Sequence, residues 1–82
     1  MSAVLVTAAY DVPGEFGYDP VLDALITTTA KEHGLEWDGS GSGFGQRDHT
    51  LLAPTHTRAE LFADALKELA PQVLVQIHRG DR

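Results

Sequence analysis

The 82-residue sequence contains no cysteine, a single tryptophan, a single methionine and only six Lys and Arg residues. Without cysteine there is no disulfide framework, no thiolate metal site and no cysteine nucleophile. That excludes a stapled secreted mini-protein and a cysteine-based zinc finger. The shortage of basic residues, set against 12 Asp and Glu for a net charge of −6, argues against nonspecific binding to nucleic acid or to an anionic membrane. No apolar run approaches the ~18 residues of a membrane span. Met1-Ser2-Ala3 has no basic flank, so no signal peptide is expected and the expected compartment is the cytoplasm.

What is present suits one small domain. An apolar share of 43% is enough for a core and argues against disorder. A chain of this size buries only about 60% of its unfolded surface, so modest stability is expected. The charge is uneven. Residues 1–41 hold seven acids (Asp11, Glu15, Asp19, Asp23, Glu32, Glu36, Asp38) and one base, Lys31, whereas residues 42–82 balance five acids against five bases. All the net charge therefore lies in the first half, where it serves solubility or steers a basic partner.

Residues 3–10 are short, apolar and β-branched, which predicts a buried strand. Residues 11–18 carry one Pro and two Gly and read as a loop. Asp19-Pro20 is a helix start, and Val21, Leu22, Leu25, Ile26 and Thr29 recur at helical spacing, predicting a helix over 20–33. Gly34 suits the left-handed residue after that helix, with Leu35 as its apolar contact. Residues 35–38 form a weak strand candidate, 39–43 a Gly-rich turn and 44–53 a strand. Thr57 and Glu60 have capping-box spacing before the stripe Leu61, Phe62, Ala65, Leu66, Leu69, which predicts a helix over 58–69 stopped by Pro71. Residues 73–78 are the last strand, with Val73, Val75 and Ile77 on one face. Strand, helix, strand, strand, helix, strand is the ferredoxin-like α/β plan (α+β): an antiparallel sheet with two helices on one face.

Such a plan leaves one sheet face without helices, to be wetted, covered by a ligand or buried in an oligomer. Leu74, Gln76 and His78 are expected on it. The parity of the third strand is open, because Leu51 and Leu52 are both apolar and the Gly-rich turn could hide a bulge. If Arg47 and His49 point outward, they form a polar patch with Gln76 and His78. Asp48 and His49 are neighbours on a strand and point to opposite faces, so they cannot act as an acid–base pair. The four histidines lack metal-ligand spacing, and neither a metal nor any other cofactor is expected.

The segment 39–45 is the most distinctive. Its glycines precede a strand rather than a helix, which departs from a dinucleotide fingerprint, and no Gly-Lys-Ser/Thr follows. A mobile hairpin tip is one reading; the other is a backbone cradle for an anion, formed by Gly41, Gly43 and Gly45 with Arg47 beside them. Gly43-Phe44-Gly45 resembles the middle of the third-strand motif of RNA-recognition domains, which share this element order. The basic position of that motif is Ser42 here, its later aromatics are Gln46 and His49, and Val4-Leu5-Val6-Thr7 has no stacking ring. Nucleic-acid binding is therefore not expected. Acylphosphatases share the topology too, but residues 11–19 lack the Arg their phosphate loop requires.

The loop 11–19 combines Asp11, Glu15 and Asp19 with Phe16 and Tyr18, aromatic anchors within an acidic rim. Tyr18 also suits a hydrophobic staple onto Leu22 or Ala24. Trp37 reads as a sheet-edge or dimer contact. The leading expectation is a small, acidic, non-enzymatic binding module of the inhibitor or immunity-factor type. It would engage a protein partner through Asp11, Glu15, Phe16, Tyr18 and Trp37, and self-associate as a homodimer. The alternative is a small-molecule or anion-binding enzyme using Arg47, His49 and His78 near the turn 39–45, which requires those side chains to converge.

Overall fold

A computed structural model describes residues 3–12, 17–43 and 45–78. The elements run β1 (Val4–Asp11), α1 (Pro20–Glu32), β2 (Glu36–Gly43), β3 (Gln46–Ala53), α2 (His56–Leu69) and β4 (Leu74–His78). The four strands form an antiparallel sheet in the order β2-β3-β1-β4. This is the ferredoxin-like arrangement, with both central strands flanked and β2 and β4 at the edges. No helix among the described residues is long and apolar enough to cross a membrane.

Local chemistry fixes the ends of α1. Asp19 sits in extended backbone and its carboxylate accepts from the amides of Val21 and Leu22 at 2.9 and 3.3 Å. Pro20 fills the first helical position, where no donor is lost. At the other end Gly34 has φ +80°. Its amide donates to the Lys31 carbonyl at 3.1 Å, and the Leu35 amide donates to Ala30 at 2.8 Å. That pair of bonds is the Schellman stop, with Leu35 buried beneath it.

Three expectations are corrected. Residues 39–43 are strand, not turn: β2 pairs with β3 from Glu36↔Leu52 to Gly43↔Gln46. β3 begins at Gln46, directly after Gly45 at φ +78°, and Phe44 of the expected strand lies outside the described residues. Ladder bonds to β3 override the weak strand preference of glycine. The irregularity lies between Trp37 and Gly39, so Asp38 is left outside the regular pairing. Second, α2 begins at His56, because Thr55 is its N-cap and its hydroxyl accepts from the Arg58 amide at 3.1 Å. Thr57 lies inside the first turn. Third, Tyr18 is 61% exposed rather than folded down onto the helix.

The core lies between the sheet and the helices. Val6, Ala8 and Tyr10 of β1, His49, Leu51 and Ala53 of β3, Leu22, Ile26 and Ala30 of α1, and Ala59, Phe62 and Leu66 of α2 are all buried. The outer members of both predicted stripes, Val21 on α1 and Leu61 and Leu69 on α2, are exposed. The burial alternation of β3 settles its parity: Arg47, His49, Leu51 and Ala53 face the helices, and Gln46, Asp48, Thr50 and Leu52 face away.

Candidate functional site

One side chain organises the helix-covered side of the sheet. Asp23, in the first turn of α1, projects toward β1 and β3 and collects three partners. Tyr10 donates its hydroxyl proton to Oδ1 at 2.5 Å. His49 donates from Nε2 to the same oxygen at 2.8 Å. Arg47 donates from Nε and Nη2 to Oδ2 at 3.2 and 3.0 Å. The Tyr10 hydroxyl also accepts from the Asp19 amide at 2.9 Å, tying the cluster to the helix cap.

The cluster continues outward on both sides. The Trp37 indole N–H donates to His49 Nδ1 at 3.1 Å. An indole nitrogen can only donate, so Nδ1 is the accepting nitrogen and the ring proton sits on Nε2, toward Asp23. On the other side the Arg47 guanidinium lies 5.3 Å from the Tyr18 ring centroid, within cation–π range. Its Nη1 donates to the Ser42 hydroxyl at 3.2 Å. Tyr18, Arg47, Asp23, His49 and Trp37 thus form one linked series between α1 and the β2 side of the sheet.

The electrostatics follow from this geometry. Burial pushes the Asp23 carboxyl upward, but the bonds from His49, Tyr10 and Arg47 together outweigh it and leave Asp23 below its ordinary value. Burial, then the bond to the Asp23 carboxylate, raises the Tyr10 phenol. The bond to Asp23 likewise raises Arg47. Among the described residues no buried side-chain nitrogen or oxygen lacks a partner.

A saturated cluster is a poor catalytic one. His49 is 2% exposed and both ring nitrogens are engaged. Both oxygens of Asp23 are occupied as well. What the cluster can do is hold surface groups in place. Trp37 is 55% exposed and Tyr18 61% exposed, yet the first is pinned by its N–H and the second lies under a guanidinium that is itself fixed.

The sequence-derived residues fall into separate places. The grouping of Arg47 and His49 with His78 does not form. Arg47 and His49 meet at Asp23 on the helix side, while His78 is on the open face, with Nε2 3.2 Å from Thr7 Oγ1. The reason is strand parity: β3 must bury Leu51 and Ala53, and Arg47 and His49 share their face. Gly41 and Gly43 line a shallow depression on the open face with Asp11, Gln46 and Asp48, so the glycines sit in a strand rather than in an anion-cradling turn with Arg47. Gly45 is in the hairpin connection, where its carbonyl accepts from the Val12 amide at 2.9 Å. Of the partner-binding set, Asp11 is on the open face and Tyr18 and Trp37 flank the Asp23 cluster, whereas Glu15 and Phe16 lie outside the described residues.

Sequence reasoning missed Asp23 and Tyr10. The usable signal was in β1. If Val4, Val6 and Ala8 face the helices, Tyr10 does too, and a buried phenol requires a polar partner. Asp23 was the acid bordering the apolar stripe of α1 that could supply one. No protein-family model matches this chain, and no curated protein matches it.

Proposed function

We propose that the chain is a small, acidic, non-enzymatic binding module, acting in the cytoplasm, that engages a protein partner in the manner of an inhibitor or immunity factor. One observation carries the reading: Trp37 and Tyr18 are held exposed by a hydrogen-bonded cluster whose own groups are already used. Trp, Tyr and Arg are the residue types that dominate interface energetics. Fixing them before contact lowers the ordering cost of association. The acid-rich first half, with Asp19, Glu36 and Asp38 exposed in the same part of the chain, supplies a charged rim and a preference for a basic partner.

The test is capture from lysate of the source cell with the whole chain as bait, at low and high salt, beside Trp37→Ala and Tyr18→Ala. A single stoichiometric protein, released by salt and retained at least about ten-fold less by Trp37→Ala, is the expected result. No retained protein, or one that both variants retain as well as the wild-type chain does, overturns the proposal.

A homodimer belongs to the same proposal. Leu5 and Leu74 are exposed on the open face at opposite ends of the β1–β4 pair. A two-fold axis running across the strands over Thr7 and Gln76 would lay Leu5 of one copy over Ala9 of the other, beside its Leu74. Sedimentation should give a dimer that Leu74→Glu dissociates; a wild-type monomer overturns this part.

A further inference from the structure

Among the described residues, the edge strand β2 has hydrogen-bonded pairing on one side only, to β3. Its other side has backbone donors and acceptors that no described strand pairs with. Natural sheets blunt such edges with lysine, proline, bulges or very short strands. β2 has neither lysine nor proline and is eight residues long. Its single irregularity lies between Trp37 and Gly39, so Gly39–Gly43 beyond it is a regular, unblocked edge. The opposite edge, β4, is only five residues long.

The residues on that edge select its occupant. On the open face β2 presents Gly39, Gly41 and Gly43, paired with Thr50, Asp48 and Gln46. These positions have no side chains, so a neighbour's side chain can lie flat across the strand. Asp48 Oδ1 lies 3.5 Å from where a Cβ on Gly41 would be, which places its carboxylate over β2 and toward the edge. Asp11 lines the same depression, and Glu36 and Asp38 are exposed on the strand itself. A strand added beside β2 lies about 4.8 Å away. A lysine or arginine facing Gly41 then has to bridge roughly one strand spacing to reach Asp48, within the reach of its flexible stem. A second copy of β2 is disfavoured there, because antiparallel pairing about Gly41 would set Gly41 against Gly41 and bring the two Asp48 carboxylates together with no cation between them.

We infer that the Gly39–Gly43 edge of β2 accepts an extended, basic segment of the partner protein as a fifth strand, with main-chain bonds supplying affinity and Asp48 reading a cationic side chain across Gly41. This rests on the reading of the chain as a protein-binding module and names the chemistry of its partner. The β1–β4 dimer leaves this edge clear.

The test titrates the isotope-labelled whole chain at low salt with a capped hexapeptide alternating lysine and valine. The amides of residues 39–43 should shift, saturate and gain exchange protection. A peptide alternating glutamate and valine, and an N-methylated form of the lysine peptide, should leave them unmoved. Asp48→Asn should weaken the lysine peptide about two- to five-fold. Gly41→Ala, whose added Cβ makes only ordinary contact with Asp48, should weaken it as well by covering the place where the lysine stem crosses the strand. No saturable binding, equal binding of the glutamate peptide, or shifts confined to the Trp37 and Tyr18 surface overturns the inference. Because the titration reads the edge and the capture reads Trp37, either proposal can fail with the other intact.

Discussion

Asp23 is the residue on which most of the polar structure depends. It neutralises Arg47, whose side chain is only 19% exposed, and occupies the buried donors of Tyr10 and His49. Asp23→Ala leaves a guanidinium, a phenol and an imidazole N–H without their acceptor, and should cost about 3 kcal/mol in chemical denaturation. The same contacts set the pH dependence. The Asp23 carboxyl lies below its ordinary value of 3.8 in the folded chain. Its stabilisation is therefore complete above that value and is lost as pH falls through the lower folded value. The Tyr10 phenol lies above its ordinary 10.0. Its contribution is complete below 10.0 and is lost as pH rises through the raised value. Urea midpoints across pH should fall at both ends, and Tyr10→Phe should flatten the alkaline fall while Asp23→Asn flattens the acid one.

At the scale of elements, the parts legible in the sequence were those decided locally. Asp19-Pro20 and Gly34-Leu35 bound α1 because cap and stop each act within one turn. The start of α2 was misread because Thr55 and Thr57 are both plausible caps and only the backbone distinguishes them. Thr55 is extended at φ −143° and bonds the Arg58 amide. Thr55→Ala should therefore cost about 1 kcal/mol, with Thr57→Ala nearer neutral, as read by thermal unfolding. The polar cluster was illegible for the opposite reason. Asp23 meets its partners across sequence separations of 13, 24 and 26 residues. A first-turn acid also has a sufficient local explanation in the helix dipole. The side of the sheet that Arg47 and His49 occupy hung on the parity of β3, which adjacent leucines left undecided until Asp23 supplied their acceptor.

For the whole molecule, the balance between core and surface decides how much change the fold absorbs. A domain of this length is expected to hold about 4 to 12 kcal/mol of stability. Among the described residues the largest fully buried side chain is Phe62 of α2, in the core formed by both helices and the sheet. Phe62→Ala removes that ring and leaves a cavity, a loss of about 3 to 5 kcal/mol. That is a large share of the total, so the variant should be partly or wholly unfolded at 37 °C by circular dichroism. Trp37→Ala, at the exposed β2 edge of the helix-covered side of the same sheet, should stay folded and lose about 1 kcal/mol, chiefly the N–H bond to His49. The contrast separates the two uses of aromatic surface in this chain: Phe62 is spent on folding, and Trp37 is exposed and available for a partner. Comparable destabilisation by both substitutions would place Trp37 in the core energetically and remove the main support for the binding surface.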